Sequence, residues 1–193
     1  MLGAVLLLPL AWLLGSFPSA QLVARTKGVD VTAAGSGNPG ASNVARLLGW
    51  RYGAAVLVID FAKGALASVA GLWVADRPGA YLCGAAAVLG HTFPLWRKGG
   101  KGVATTAGML IVLFPLVVIA LAPVWILIAR VLKKASLASL VVTVAFPALV
   151  AVFGYDRWEI GVLVLLALLV LARHSANIRR LLRREEIDLR SQP

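Results

Sequence analysis

The chain is poor in the residues that metal centres, disulfide scaffolds and most acid–base enzymes draw on: one cysteine, two histidines and eight acidic residues among 193. A lone thiol, Cys83, excludes an intramolecular disulfide and leaves a metal site without thiolate partners. His91 and His174 lie far apart, and no group of His, Cys, Asp or Glu has metal-ligand spacing, so neither a metal nor a cofactor is expected. No ten-residue segment alternates apolar and polar residues, which argues against a membrane β-barrel. Polar surface is the largest shortage: 60% of the residues are apolar and the mean hydropathy is +0.88. A soluble domain of this size needs a largely polar exterior, so this chain takes lipid as its solvent. Backbone amides must be satisfied within each span in hydrocarbon, so the expected class is all-α, a polytopic membrane helix bundle forming one domain over residues 1–193.

Charge is present with one dominant sign: nineteen Lys and Arg against eight Asp and Glu, a net +11. Basic loops on one membrane face account for that excess without a nucleic-acid partner, and none is expected. The apolar stretches are 2–24, 53–75, 81–95, 103–131, 137–153 and 158–172. The first lacks a basic leader and is long enough to cross a bilayer, which predicts a retained span rather than a cleaved signal. The stretch 103–131 is too long for one span and carries Pro115 near its middle. Read as one helix, it sends Arg130, Lys133 and Lys134 to the outer face; read as two short helices turning at Phe114-Pro115, it returns them to the cytoplasm. The second reading gives seven transmembrane helices, N-terminus outside and C-terminus cytoplasmic. Every Lys and Arg except Lys63, Arg77 and Arg157 then lies in cytoplasmic loops and tail, as the positive-inside rule requires.

Three cytoplasmic segments carry the polar chemistry. The first is Gly35-Ser36-Gly37-Asn38-Pro39-Gly40-Ala41-Ser42-Asn43 with Arg46 beyond it. Its glycines let backbone approach an anion, Asn38 can cap a helix beginning at Pro39, and Arg46 offers a fork of donors. An ordinary turn between spans needs the same glycines. The second runs from His91 to Lys98-Gly99-Gly100-Lys101-Gly102, a glycine pair flanked by lysines that suits phosphate without being a Walker A loop. It also serves as a positive-inside anchor. The third is Arg173-His174-Ser175-Ala176-Asn177, where a helix leaving the membrane puts His174 and Asn177 on one face; a basic tail binding anionic lipid heads is the plainer reading. Asp60 and Lys63, three apart inside a span, are expected to pair. No nucleophile elbow is present, no acidic residue follows either histidine within five positions, and the carboxylates near these segments are Asp30 and the Glu185-Glu186 pair. A substrate already activated for transfer, oriented by the protein, fits that poverty of bases.

In this order the segments resemble the bacterial acyl-phosphate:glycerol-3-phosphate acyltransferase family, membrane enzymes at the start of phospholipid synthesis. The likeness runs from Gly15-Ser16-Phe17-Pro18 through the GSGNPGASN and GHTFP…KGGKG segments, Asp60…Lys63-Gly64 and Ser136-Leu137-Ala138-Ser139 to RHSANIRRL. It implies acyl transfer from acyl-phosphate to the 1-hydroxyl of glycerol 3-phosphate, giving lysophosphatidic acid and inorganic phosphate. By the same likeness Ser36, Asn38, Ser42, Asn43 and Arg46 serve the acyl-phosphate, with Gly35 and Gly37 shaping the loop. Lys101 with Gly99, Gly100 and Gly102 seats glycerol 3-phosphate, helped by Arg46, Ser139, His174 and Asn177, and His91 completes the binding set. Ser36, Arg46, Lys101, His174 and Asn177 are the expected catalytic residues. The implied setting is the bacterial cytoplasmic (inner) membrane, with the site on the cytoplasmic side, membrane lipids as surroundings and a monomer as the working unit. Thr32 stands where the family usually has arginine, Ser42 where it has threonine and Arg184 where it has glycine, and the 96–98 stretch is shorter than usual. A transporter for a phosphorylated solute would also need a basic mouth, but beyond Asp60 and Lys63 the spans carry almost only apolar and small residues.

Overall fold

The computed structural model describes residues 1–95 and 97–189; Trp96 of the shortened stretch and Arg190 of the basic tail lie outside them. Among the described residues all regular structure is helical, and the chain divides into two compact units, Met1–Leu113 and a second beginning at Phe114.

The first unit holds α1 (Leu2–Ser16), α2 (Ser19–Arg25), α3 (Ala41–Leu48), α4 (Trp50–Thr92) and α5 (Val103–Leu113). The stretch expected as one unbroken span is interrupted at Phe17-Pro18, where Phe17 leaves the helical region at φ −56°, ψ 124°. A residue before proline is pushed toward extended backbone, and Pro18 has no N–H to continue the ladder. In α4, Ala75 and Asp76 leave helical geometry, where the sequence placed the end of a span. The halves on either side form a hairpin: a methyl at Gly71 would overlap the Gly79 carbonyl, and one at Gly84 would overlap the Ser68 hydroxyl. That antiparallel register carries Asp60 to a position opposite His91. Glycine also lets α5 close on α4, because a side chain at Gly64 or Gly108 would collide with the carbonyls of Thr105 and Phe61.

In the second unit, α6 (Pro115–Val131), α7 (Ala135–Val152) and α8 (Arg157–Arg173) pack in sequence, and α9 (Ser175–Leu182) follows α8 with a 61° bend. The helix expected to break at Phe114-Pro115 does: Phe114 is non-helical at φ −139°, ψ 62°, and Pro115 opens α6, where its missing N–H costs nothing. The buried Phe114 ring meets Phe146 and Tyr155 edge-on at 5.8 and 4.8 Å.

Among the described residues three helices, Leu2–Arg25 taken across its break, Trp50–Thr92 and Ala135–Val152, are long and apolar enough to cross a membrane, and α8 with α9 makes a fourth if the bent pair counts as one span. Large apolar side chains face outward along both units, Trp73 at 84% and Val152 at 80% exposure. In water that surface would be a liability; in lipid it is the solvent-matched exterior.

Candidate functional site

The first polar segment folds around Asn43, which is 2% exposed. Its Oδ1 accepts from the Ser36 N–H (2.9 Å) and Arg46 Nη1 (3.1 Å), and its Nδ2 donates to the carbonyls of Val31 (3.1 Å) and Ala34 (3.0 Å). Four bonds exhaust a carboxamide, so Asn43 shapes the loop and orients Arg46. The helix expected to start at Pro39 under an Asn38 cap starts instead at Ala41, with Gly40 as N-cap. The Gly40 N–H turns back to the Asn38 carbonyl at 2.9 Å, spending that acceptor before a helix can use it. Ser42 thus lies in the first turn of α3, where free amides and the helix dipole favour anions. Thr32 donates through both N–H and Oγ1 to Asp30 Oδ1, at 2.9 and 2.7 Å. Those bonds, the hydroxyl's first, hold the exposed Asp30 carboxyl below its ordinary pKa.

The second segment is tied to the end of α4. The Gly100 N–H donates to the His91 carbonyl at 3.0 Å, and Gly100 packs against the Nε2 edge of the His91 ring, so that a methyl there would overlap Nε2. Gly99 sits as closely on the Thr92 carbonyl, and Gly102, at φ +86°, makes the turn into α5 that a side chain would strain. Lys101 is half-buried between these glycines. The two segments meet: Lys98 Nζ stands 3.3 Å from where a Gly37 Cβ would lie, and Gln21 Nε2 holds the Lys98 carbonyl at 3.2 Å. A cleft opens here, walled by the Phe17-Pro18 break, Ser19, His91 and the Lys98-Gly99-Gly100 run.

In the second unit, His174 is 2% exposed and occupies the bend between α8 and α9 rather than a continuous helix. Its Nδ1 is 2.8 Å from the Val170 carbonyl. A carbonyl only accepts, so Nδ1 carries the hydrogen in this bond. Ser139 accepts from Trp125 Nε1 at 3.0 Å and donates to the Ala135 carbonyl. Asn177 donates to Glu186 Oε1 at 2.6 Å.

Glu186 is the residue that sequence reasoning did not place. Only 7% exposed, it also accepts from Ser136 Oγ (2.7 Å) and Arg180 Nε (2.9 Å), while its carbonyl takes Lys134 Nζ at 2.6 Å. Burial pushes its pKa up, but the bonds from Ser136, Asn177 and Arg180 together outweigh that and leave it below the ordinary glutamate value. The available signal was a carboxylate pair inside an otherwise basic tail. Arg184 makes the return possible: at φ +61° it is the left-handed residue of a helix-ending turn in which Glu185 N–H reaches the Arg180 carbonyl (2.8 Å) and Arg184 N–H that of Leu181 (3.1 Å). Glycine adopts this left-handed backbone without the steric cost of a side chain, so Arg184→Gly should stabilise the protein by about 0.5–1 kcal/mol. Thermal unfolding in detergent will show it as a raised midpoint.

Among the described residues no His, Cys, Asp and Glu grouping suits a metal. The family profile described as glycerol-3-phosphate acyltransferase matches residues 5–184. A glycerol-3-phosphate acyltransferase of Sinorhizobium fredii is 40% identical over 184 residues, 93% of this chain and 89% of that protein. Two crystal structures of PlsY, an integral membrane glycerol 3-phosphate acyltransferase, are similar over 96% of this chain and 95% of theirs at 36% identity. The TM-score is 0.91 for the glycerol 3-phosphate form and 0.88 for the lysophosphatidic acid form. With a profile match over nearly the whole chain and a fold that close, this all-helical membrane protein belongs to the glycerol-3-phosphate acyltransferase family.

Proposed function

We propose that this acyltransferase moves a fatty acyl group from acyl-phosphate to the 1-hydroxyl of glycerol 3-phosphate. The new ester C–O bond forms as the acyl C–O bond to phosphate breaks; the products are lysophosphatidic acid and inorganic phosphate. The observation that carries the reading is the meeting of the 35–43 loop and the 98–102 loop in one unit, with the Lys98 ammonium beside Gly37. Two glycine-rich backbones and several cations in one place suit a reaction with a phosphate on both substrates.

Ser36, Asn38, Ser42 and Arg46 hold the donor phosphate and polarise its carbonyl, with Gly35 and Gly37 allowing close approach and Asn43 fixing Arg46. Lys101, between Gly99, Gly100 and Gly102, holds the acceptor phosphate, and His91 supports the loop; in the second unit His174, Asn177 and Ser139 keep their reading as substrate-binding residues. The leaving phosphate takes the hydroxyl proton. A mixed anhydride brings its own leaving group, so orientation and charge stabilisation supply the catalysis.

We further propose seven spans over a single catalytic domain, 1–193. These are Leu2–Arg25, the two halves of α4, α5, α6, α7 and α8, with the N-terminus outside and the C-terminus inside. The halves of α4 count separately because their glycine contacts make them a hairpin. A monomer in the bacterial inner membrane, working at the cytoplasmic face, completes the proposal, with the acyl chain lying among apolar helices. Purified protein in lipid mesophase with acyl-phosphate and glycerol 3-phosphate should release phosphate only when both are supplied. A folded protein that releases none under these conditions would overturn the assignment.

A further inference from the structure

Asp60 and Lys63 are 2% exposed on α4, with Nζ 2.6 Å from Oδ1. A buried ion pair is costly, and a well-packed apolar pair in its place would stabilise a helix as well or better. Pinning one helix turn therefore does not account for it. The pair is not confined to its own helix. Lys63 Nζ also donates to the Phe17 carbonyl at 2.6 Å and reaches Ser19 Oγ at 3.3 Å, and Ser19 Oγ donates to Asp60 Oδ1 at 2.5 Å. All three ammonium hydrogens are thus spent, one on the carbonyl turned out of the helical ladder at the Phe17-Pro18 break. On the other side, Asp60 Oδ1 faces His91 Nδ1 at 3.7 Å, and the far edge of that ring abuts Gly100. Phe17, Ser19, His91 and Gly100 all line the cleft. The ion pair lies behind its walls and touches both.

We infer that Asp60 and Lys63 are positioning residues for the 98–102 loop: through the Phe17 carbonyl and the His91 ring they fix two walls of the cleft that Gly99 and Gly100 also line, and through the His91 ring, on which Gly100 seats, the placement of Lys101. The inference rests on reading that loop as the seat of glycerol 3-phosphate. It separates acceptor from donor, because the network touches the glycine-lysine loop while the 35–43 loop is held by Asn43.

The test is the double variant D60N/K63M, which removes both charges together and leaves no uncompensated ion. Folded double variant should show a KM for glycerol 3-phosphate raised about tenfold or more, with the KM for acyl-phosphate within about twofold of the parent. An unchanged acceptor KM, or equal rises in both, would overturn the inference and reduce the pair to helix packing. Ser19→Ala keeps the ion pair whole and carries the test if the double variant fails to fold. It should raise the same KM about threefold, and no change would count against the proposal. Lys101→Ala is measured alongside: if it leaves acceptor binding untouched, the loop assignment falls and the inference with it. If only the network variants are silent, the assignment stands and the inference alone is lost.

Discussion

Lys101→Ala will lower the rate of phosphate release by about a hundredfold or more, the usual consequence of deleting one preorganised donor from an anion-stabilising site. The glycines around Lys101 are held by backbone contacts to His91 and Thr92, and Gly102 turns the chain into α5, so the loop keeps its path when the lysine side chain is shortened. The loss is therefore chemical rather than structural. Thermal unfolding should match the parent within about 0.5 kcal/mol, as for a substitution outside the core. Lys101→Arg should recover only part of the rate, since a planar fork does not replace a compact ammonium in a glycine-walled seat. Parental rates in the alanine variant would remove the 98–102 loop from the site and with it the acceptor half of the proposal.

The second large effect concerns stability. Glu186→Ala takes away the acceptor shared by buried Ser136 and Asn177 and by partly exposed Arg180, at a cost of about 2–4 kcal/mol. Asn177 loses its anchor as well, so activity should fall even at temperatures where the variant stays folded. Glu186→Gln keeps the shape but sets an amide against donors, and should fall between the two. The pH dependence has a definite sign. The folded-state pKa of Glu186 is lowered, so its stabilisation is complete above the unfolded value of about 4.3 and is lost as pH falls through the folded value. Unfolding midpoints of the parent should drop on acidification below about pH 4.3, and the part of that drop due to Glu186 should be missing from Glu186→Gln. A parallel drop in both would show that other carboxylates carry it.

Much of the architecture was legible because it follows from solvent. A chain too apolar for water must be helical in lipid, and a 29-residue apolar run with a central proline must break, as it does between Leu113 and Pro115. The order of the three polar segments pointed to phosphate chemistry for a similarly local reason: glycine, lysine and helix starts bind anions by backbone geometry.

The details that escaped the sequence are those settled by residues distant along the chain. Pro9 sits inside α1 without ending it, while Pro18 marks a break whose exposed carbonyl is taken by Lys63. Local propensity treats the two prolines alike; a partner 46 positions away distinguishes them. Asn43 reads as a substrate ligand beside Ser36, yet its carboxamide is consumed by the loop. Glu186 reads as one more tail charge, yet the left-handed turn at Arg184 brings it back to Asn177.

The sequence by itself determined the class of solvent, the helical class and the kind of ligand, because each depends on composition or on backbone chemistry over a few residues. Only the tertiary structure decided which polar groups hold other groups in place, because a side chain has few hydrogen-bonding positions and its packed neighbours claim them first.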